Sequence, residues 1–286
     1  MSAKILQGEE IAKRILEDLK NKVAGKRLKL AVVQVGKNAV SETYIRKKEE
    51  ATAKLGIGFE LHKLPQEISQ AELKRRVEAI GKDKTVSGMI VQLPLPKHLN
   101  QQEILDEIPR EKDVDVLSSA SFGLFAFSPF GRSPVGRERL PILPPTVGAV
   151  SLLLKETGME LKGKSIAVVG AGRLVGLPVA LWCMQKGATV SVANKDTKDL
   201  SAVTRDADII ISGVGKKGLI IGAIVKRGAV VIDAGSSVEA GLMGGDVDFE
   251  SVVKKAGFLT PVPGGVGPLT VACLFQNLVV LKSVWS

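Results

Sequence analysis

Tyr44 and Lys48 form the first pair of residues whose types and spacing are suited to chemistry. The pattern of apolar and polar residues predicts a helix over Ser41–Leu55, and side chains four residues apart share one helix face. The phenol and the ammonium therefore point into the same space. A surface lysine beside a partly buried tyrosine is the alternative.

Gln92 interrupts an apolar strand that is predicted over Gly88–Leu93, within the segment Val91-Gln-Leu-Pro-Leu-Pro96. Ligands in open α/β sheets bind at the carboxyl ends of strands, and Gln92 lies at such an end. Its amide can therefore hydrogen-bond a reacting group. A satisfied amide at a strand exit is the alternative.

The segment Lys112-Asp-Val-Asp115 carries two carboxylates two residues apart. On an extended chain these side chains face opposite ways, so only one of them can face a site. A carboxylate is a good bidentate acceptor for the adjacent N–H donors of an amino-pyrimidine edge. An ordinary solvated loop is the alternative.

A glycine-rich loop, Gly170-Ala-Gly172-Arg-Leu-Val-Gly176, follows an apolar strand predicted over Ser165–Val169 and precedes a helix. Glycines in this place allow a tight turn and the close approach of a phosphate to a helix N-terminus, which predicts nucleotide binding. A plain turn with close helix packing is the alternative. Short-chain dehydrogenases also contain Tyr-x-x-x-Lys, but there the motif follows the glycine loop, whereas here it precedes the loop.

Residues at the end of the next predicted strand, Thr189–Ala193, bear on the choice of dinucleotide. A dehydrogenase specific for NAD usually has an acidic residue there. Here Asn194 is neutral and Lys195 is cationic, which favours the 2′-phosphate of NADP. Arg173 in the glycine loop adds a second cation, while Asp196 keeps NAD open.

The segment Thr260–Thr270 contains three prolines and three glycines between Pro261 and Pro268. Proline fixes φ and glycine leaves the backbone bare, so we expect neither a helix nor a central strand there. A segment both rigid and bare suits a wall against which a flat ligand lies. A domain-connecting loop is the alternative.

Length, charge and composition restrict the class of protein. The chain has 286 residues, is 45% hydrophobic and carries a net charge of +10, which indicates one or two domains with a sizeable core. Its cations are spread along the chain and its aromatic residues are few, which disfavours a nucleic-acid reader and favours a phosphorylated cofactor with an anionic substrate. No apolar stretch approaches the roughly 20 residues of a membrane span.

Cysteine and histidine predict no metal site. The two cysteines lie in apolar helical runs and are expected to be buried thiols, and the two histidines lie far apart. The N-terminal segment, Met1 to Val23, predicts an amphipathic helix and has neither signal nor transit character.

Strands and helices alternate along both halves of the chain, which predicts parallel sheets covered by helices. Further strands are expected at Leu28–Val35, Gly58–Leu64, Asp208–Ser212 and Ala229–Asp233. Further helices are expected to begin at Ser69 and Asn100 and to run over Thr146–Thr157, with Thr146 as the N-cap, and over Leu269–Val284. The segment Ser118–Pro145 breaks the alternation and is expected to be an inter-domain crossover.

Taken together, these segments resemble the methylenetetrahydrofolate dehydrogenase/cyclohydrolase family, the bifunctional FolD type. The resemblance spans nearly the whole chain, and its motifs occur in the family's order: Ser41-x-x-Tyr44-x-x-x-Lys48, Val91–Pro96, Lys112–Asp115, Gly170–Pro178, Gly245-Asp-Val247 and Thr260–Thr270.

The resemblance implies an α/β protein with two domains and an active-site cleft between them. An N-terminal α/β folate domain, residues 1–140, is completed by the C-terminal helix, residues 269–286, and a Rossmann-like dinucleotide-binding domain occupies residues 141–268. Family members dimerise through the dinucleotide domain, so we expect a homodimer. We expect a cytoplasmic protein with no nucleic-acid or membrane partner.

The resemblance also implies oxidation of 5,10-methylenetetrahydrofolate with NADP, NAD being possible, and hydrolysis of the methenyl product to 10-formyltetrahydrofolate. Lys48 is then the central catalytic residue of hydrolysis, and Gln92 orients it. Tyr44 stacks on the folate ring system and Asp115 holds the amino-pyrimidine edge. The folate site is further lined by Val91, Leu93, Pro263, Gly264 and Gly265. The residues implied at the cofactor are Thr146, Gly170, Ala171, Gly172, Arg173, Val175, Gly176, Asn194, Lys195, Gly235, Ser236 and Thr270.

Two alternatives remain open: a monofunctional methylenetetrahydrofolate dehydrogenase and a catalytically silent nucleotide-binding module. The presence of Tyr44, Lys48 and Gln92 argues against the first.

The chain departs from the family pattern in three places. Val116 stands where the family usually has glycine after the second aspartate, which is expected to alter the loop that holds Asp115. The segment Pro144–Ala149 keeps the family's threonine, Thr146, but not its surroundings. Gly170-Ala-Gly172 replaces Gly-Arg-Ser and Asn194-Lys195 replaces a His-Ser pair, so a preference for NADP rests on Arg173 and Lys195.

Overall fold

A computed structural model describes residues 2–127, 142–239 and 242–285. The predicted domain boundary at residues 140 and 141 lies outside them, as does much of the predicted crossover.

Two compact units make up the chain: residues 1–12 with 146–270, and residues 13–145 with 271–286. We call them the dinucleotide unit and the catalytic unit. The sequence prediction placed residues 1–12 with the catalytic domain. The structure places them in the dinucleotide unit, because the strand Lys4–Ile5 pairs in parallel with Phe258–Leu259.

The dinucleotide unit contains a six-stranded parallel sheet and a two-stranded antiparallel ribbon. The sheet strands are β1 (Lys4–Ile5), β5 (Ser165–Val169), β6 (Thr189–Ala193), β7 (Ile209–Ser212), β8 (Val230–Asp233) and β11 (Phe258–Leu259), and the ribbon strands are β9 (Ser237–Glu239) and β10 (Leu242–Gly244). The sheet order is β1-β11-β8-β7-β5-β6, so the chain reverses its direction of winding between β5 and β7. Its helices are α6 (Pro145–Glu156), α7 (Gly176–Gln185), α8 (Leu200–Thr204), α9 (Phe249–Val252) and a 3₁₀ turn at Gly222–Ile224.

The catalytic unit is built on a three-stranded parallel sheet with β2 in the centre and the order β3-β2-β4. The strands are β2 (Lys29–Val35), β3 (Gly58–Leu64) and β4 (Gly88–Val91). The helices are α1 (Gly8–Val23), α2 (Ala39–Leu55), α3 (Gln70–Lys82), α4 (Gln101–Leu105), a 3₁₀ turn at Arg110–Lys112, α5 (Ser119–Phe127) and α10 (Val266–Val284). α1 and α10 each begin with residues that belong to the dinucleotide unit.

Local signals set the ends of the helices that carry the site. The Asn38 side chain accepts a hydrogen bond from the Ser41 backbone N at 3.0 Å and caps α2, and Gly56 ends that helix at φ +70°. The Ser69 hydroxyl accepts from the Glu72 backbone N at 3.2 Å and caps α3 as predicted. Residues adjacent in sequence therefore set where α2 begins and ends, and so set the position of Lys48 within the helix.

Three predicted elements differ from the structure. Ser118–Pro145 was expected to be an inter-domain crossover for which no helix was predicted, and α5 occupies Ser119–Phe127 within it. Thr146 lies inside α6 and not at its cap, because Pro145 occupies the first turn, where its missing N–H costs nothing. α10 begins at Val266 and not at Leu269, since Pro268 is likewise tolerated in a first turn.

The extended α10 also corrects the expectation that no apolar stretch reaches the length of a membrane span. Among the described helices, it is the one long and apolar enough to cross a membrane, with a mean hydropathy of 1.4. Within its most apolar window, 56% is buried inside the protein. That burial is typical of a helix in a protein core.

Candidate active site

Lys48 and Gln92 are joined by a direct hydrogen bond in the catalytic unit. The Lys48 side chain is buried, and its Nζ donates to the Gln92 Oε1 at 2.8 Å. Gln92 follows β4, and its backbone N donates to the Val33 carbonyl of β2 at 2.8 Å. The pair thus lies where neighbouring parallel strands end, which is the usual ligand position in open α/β sheets.

The Gln92 side chain is fixed at both ends. Its Nε2 donates to the Leu93 carbonyl at 3.0 Å, while its Oε1 accepts from Lys48. The Ser41 hydroxyl donates to the same Leu93 carbonyl at 3.1 Å. Ser41, at the start of the predicted Tyr–Lys motif, therefore ties α2 to the segment that carries Gln92.

Tyr44 lies one helical turn before Lys48 and is half-buried. The Lys47 Nζ is 6.0 Å from the centroid of its ring, within the range of a cation–π interaction. Part of the tyrosine surface remains accessible beside Lys48, so an aromatic ring is available for stacking there.

The three charged side chains of the motif Lys112–Asp115 have different surroundings. The Lys112 Nζ donates to the Gly81 and Asp83 carbonyls at 2.6 and 2.7 Å and so binds the C-terminal end of α3. Asp113 is fully buried and accepts from the Ser118 backbone N at 2.9 Å and the Ser118 hydroxyl at 2.7 Å. Asp113 is therefore committed to its own turn, and Asp115 is the carboxylate left for a ligand.

The loop around Asp115 contains a strained residue and a support that the sequence analysis missed. Val116 is fully buried and has φ +59°, a left-handed conformation that is unfavourable for a β-branched side chain. The buried amide of Asn277 in α10 donates to the Val114 carbonyl at 2.9 Å and the Leu143 carbonyl at 2.8 Å. The available sequence signal was the polar pair Gln276-Asn277 in the middle of a strongly apolar helix.

Lys48 and Asp115 influence each other's ionisation. Burial lowers the pKa of Lys48, and the charge of Asp115 partly restores it. Burial raises the pKa of Asp115 to about 6, Lys48 opposes that shift, and Asp113 adds to it. Near neutral pH, Asp115 is mostly a carboxylate, and Lys48 loses its proton more readily than an exposed lysine does.

The Pro/Gly segment uses its bare backbone for close packing inside the dinucleotide unit. The Glu9 backbone N donates to the Gly264 carbonyl at 2.9 Å, and a Cβ on Gly8 would overlap the Gly265 carbonyl. Gly264 has φ +104°, which favours glycine. The glycines are thus explained by packing against the start of α1, while the role of Pro263, Gly264 and Gly265 towards folate stays a prediction.

The Gly170–Gly176 loop brings the start of α7 close to the end of β5. Gly170 has φ +101°, and a Cβ on Gly176 would overlap the Gly170 carbonyl, so α7 starts in close contact with the end of β5. A Cβ on Gly172 would meet nothing within 4 Å. Bare backbone at the N-terminus of a helix that follows a strand fits the pyrophosphate of a dinucleotide.

The remaining predicted cofactor residues have distinct settings. The Asn194 oxygen accepts from the Asp196 backbone N at 2.9 Å and closes a turn after β6, which leaves Lys195 exposed. The Thr270 hydroxyl donates to the Gly267 carbonyl at 2.7 Å. The other members, Thr146, Ala171, Arg173, Val175 and Ser236, are half-buried or exposed, whereas Gly235 is buried.

The two halves of the chain match two family models. Residues 6–115 match the tetrahydrofolate dehydrogenase/cyclohydrolase catalytic domain, and residues 144–284 match the NAD(P)-binding domain of the same family. The chain belongs to the tetrahydrofolate dehydrogenase/cyclohydrolase family. It is therefore an α/β enzyme of folate metabolism with an NAD(P)-binding domain, as the sequence motifs predicted.

Individual members of the tetrahydrofolate dehydrogenase/cyclohydrolase family resemble the chain over its whole length. The bifunctional protein FolD of Moorella thermoacetica is 42% identical, with 98% of each chain covered. The crystal structure of the bifunctional FolD enzyme from Campylobacter jejuni is 38% identical and superimposes with a TM-score of 0.90 over 100% of both chains. A FolD structure from Trypanosoma brucei, complexed with NADP and an inhibitor, is 34% identical, with a TM-score of 0.92 over 100% of this chain and 99% of that one.

Proposed function

We propose that this enzyme oxidises 5,10-methylenetetrahydrofolate with NADP and hydrolyses the resulting 5,10-methenyltetrahydrofolate to 10-formyltetrahydrofolate. The observation that carries the proposal is the buried Lys48, whose Nζ lies 2.8 Å from the Gln92 Oε1 and whose pKa burial lowers. Such a lysine is suited to accept a proton near neutral pH, which hydrolysis requires and hydride transfer does not.

In the hydrolytic step, the oxygen of a water molecule adds to the methenyl carbon, and the proton of that water passes to neutral Lys48. The hydroxyl proton of the adduct then moves to N5 as the C–N5 bond breaks, which leaves the formyl group on N10. Gln92 accepts a hydrogen bond from the Lys48 Nζ and so fixes the direction of the nitrogen lone pair. Both activities can share one substrate position because positioning alone serves hydride transfer.

The folate ring system is held by two further side chains in this proposal. The half-buried Tyr44 offers a ring for stacking one turn from Lys48. Asp115 accepts two N–H groups from the amino-pyrimidine edge, since Asp113 is already committed to Ser118. Val91 and Leu93 flank Gln92 in sequence. Val91 is buried in the hydrophobic core of the catalytic unit and Leu93 packs against that core, so any contact of theirs with folate stays a prediction.

The Gly170–Gly176 loop and the N-terminus of α7 would hold the dinucleotide phosphates, because the loop joins a strand to a helix start and the backbone of Gly172 borders open space. NADP supplies the hydride acceptor when it is bound. Lys195, exposed after β6, and Arg173 would favour the 2′-phosphate of NADP over the ribose hydroxyl of NAD. We further expect a cytoplasmic protein that forms a homodimer, and light scattering of the purified protein would test the dimer.

The decisive experiment compares Lys48→Met with the wild type in both reactions. We expect hydrolysis of methenyltetrahydrofolate to fall by roughly 100-fold or more, the range of lost general-base catalysis, while the affinity for folate is kept. Lys54→Met, which changes an exposed lysine on the same helix, is the matched control. Full hydrolytic activity in Lys48→Met would contradict the proposed role of this residue.

An absorbance assay of 5,10-methylenetetrahydrofolate oxidation, run with NADP and with NAD side by side, separates the alternatives. A monofunctional dehydrogenase would reduce the dinucleotide and accumulate methenyltetrahydrofolate. A catalytically silent module would reduce neither dinucleotide. A catalytic efficiency higher with NAD than with NADP would contradict the roles given to Lys195 and Arg173.

A further inference from the structure

The carboxylate of Asp246 holds the segment that follows β7. Asp246 is fully buried in the dinucleotide unit. Its Oδ2 accepts from the Ser212 hydroxyl and the Val214 backbone N, both at 2.7 Å, and its Oδ1 accepts from the backbone N of Gly215 and of Lys216, both at 2.8 Å. Four donors from one short segment thus converge on one carboxylate.

A second carboxylate fixes the position of Asp246 itself. Asp233, at the end of β8, accepts from the backbone N of Asp246 at 3.0 Å, of Val247 at 2.9 Å and of Gly235 at 3.0 Å. A Cβ on Gly235 would overlap the Asp246 carboxylate, and one on Gly245 would overlap that of Asp233. The two carboxylates therefore connect the segments after β7 and β8. The space around them leaves no room for a side chain at position 235 or 245.

The segment held by Asp246 lies at the crevice of the sheet. β7 is the neighbour of β5, and the direction of winding reverses between them, which is where open α/β sheets bind their ligands. A Cβ on Gly213 would overlap the Val175 side chain, and one on Gly170 would lie 2.9 Å from the Gly213 carbonyl. Residues 213–216 and the glycine loop therefore pack directly against each other.

Successive backbone N–H groups such as those of Val214, Gly215 and Lys216 form a concavity that binds anions. In this protein the anion is the Asp246 carboxylate, so these three donors are not available to a cofactor phosphate. The segment therefore faces the crevice with its outer surface, which includes the exposed side chain of Val214.

We propose that Asp246 is a positioning residue for the dinucleotide site: its carboxylate sets the conformation of residues 213–216, which form one wall of the cofactor crevice. Asp246 acts through this segment and does not itself contact the cofactor. The proposal rests on the function proposed above, because it takes the crevice to be the NADP site.

The test is Asp246→Asn in the full chain, with NADP affinity measured by calorimetry. An amide retains the size of the side chain but replaces one acceptor by a donor, which must then face the backbone N–H of Val214 or those of Gly215 and Lys216. We expect the Kd for NADP to rise roughly tenfold or more, as one buried donor loses its acceptor. Hydrolysis of methenyltetrahydrofolate without NADP should stay within about twofold of wild type, because Lys48 and Gln92 belong to the other unit.

Two further variants make the result decisive. Asp248→Asn changes a neighbouring aspartate whose side chain makes no capping bond, and it should leave the Kd unchanged. Ser212→Ala removes one of the four donors and should raise the Kd less than Asp246→Asn, which keeps a folded variant available if Asp246→Asn does not fold. An unchanged Kd in both Asp246→Asn and Ser212→Ala would overturn the proposal, as would a parallel loss of NADP binding and hydrolysis. Failure of the wild type to bind NADP would instead refute the proposed function.

Discussion

The proposed role of Asp115 depends on whether its carboxyl group is ionised. Burial raises its pKa to about 6, although Lys48 opposes the shift. In the proposed folate complex, the carboxylate accepts two N–H groups from an amino-pyrimidine edge, whereas the neutral acid carries a proton on one of those oxygens. Folate binding through Asp115 therefore requires the ionised form.

We predict that the Kd for a non-reactive folate rises as the pH falls below about 6. The limiting slope is roughly tenfold per pH unit, since one proton must be lost for binding. Fluorescence titration between pH 5 and 7.5 measures it, with Asp115→Asn as a variant whose weaker binding should not show this titration. A wild-type Kd that is constant over this range would contradict the assignment of Asp115 to the pterin edge.

Val116 gives a second prediction at the residue scale, because it combines full burial with φ +59°. Val116→Ala removes packing but keeps a Cβ in the left-handed region, whereas Val116→Gly removes packing and also the strain. We predict that the glycine variant has the higher free energy of unfolding, by about 1 kcal/mol, the reverse of the usual order of these residues. Urea unfolding of the two variants measures the difference, and a more stable alanine variant would show that Val116 is not strained.

At the scale of elements, α10 supports the loop of Asp115 through one side chain. The Asn277 amide donates to the Val114 and Leu143 carbonyls and so links the helix to the residue before Asp115. We predict that Asn277→Ala lowers the free energy of unfolding by about 2 kcal/mol, since two carbonyls lose their donor. We also expect it to raise the Kd for folate.

The control for this prediction is Gln276→Ala, one residue earlier and half-buried, which should change neither quantity appreciably. Thermal and urea unfolding give the stability, and the same folate titration gives the Kd. Equal effects of both substitutions would indicate a general requirement for the helix and not a specific support of Asp115.

At the scale of the whole molecule, the net charge of +10 attracts an anionic substrate by long-range electrostatics before the two molecules touch. Positive charge distributed over the surface raises the rate of encounter with folate, and salt screens it, with a Debye length of roughly 10 Å at 0.1 M. We predict that kcat/KM for methylenetetrahydrofolate falls several-fold between 50 and 500 mM salt while kcat changes little. Stopped-flow or steady-state assays at each ionic strength measure both, and a salt-independent kcat/KM would argue against steering.

Much of the candidate site was predictable because its signals are local. Lys48 shares a helix face with Tyr44, Gln92 interrupts a buried strand at its carboxyl end, and a glycine loop follows a strand and precedes a helix. Each pattern depends on residues a few positions apart, where the geometry of a helix or strand fixes the direction of side chains. The capping of α2 and α3 is local in the same sense.

Contacts between residues distant in sequence decided the rest. Asp113 and Asp115 are equivalent in the sequence, and the bonds of Ser118 to Asp113 determine which one is left for a ligand. Asp246 lies in a family motif for which the sequence indicated no contact, and its four hydrogen bonds come from donors thirty or more residues earlier in the chain.

The sequence by itself therefore determined which candidate groups are present and in what local geometry: a lysine and a tyrosine on one helix face, an amide at the end of a strand and a glycine loop before a helix. The tertiary structure alone decided which carboxylates are buried within their own loops, and that β1 joins the sheet of the dinucleotide unit. The physical reason is that a buried acceptor takes whichever donors the fold brings to it, and no periodic pattern in the sequence records that choice.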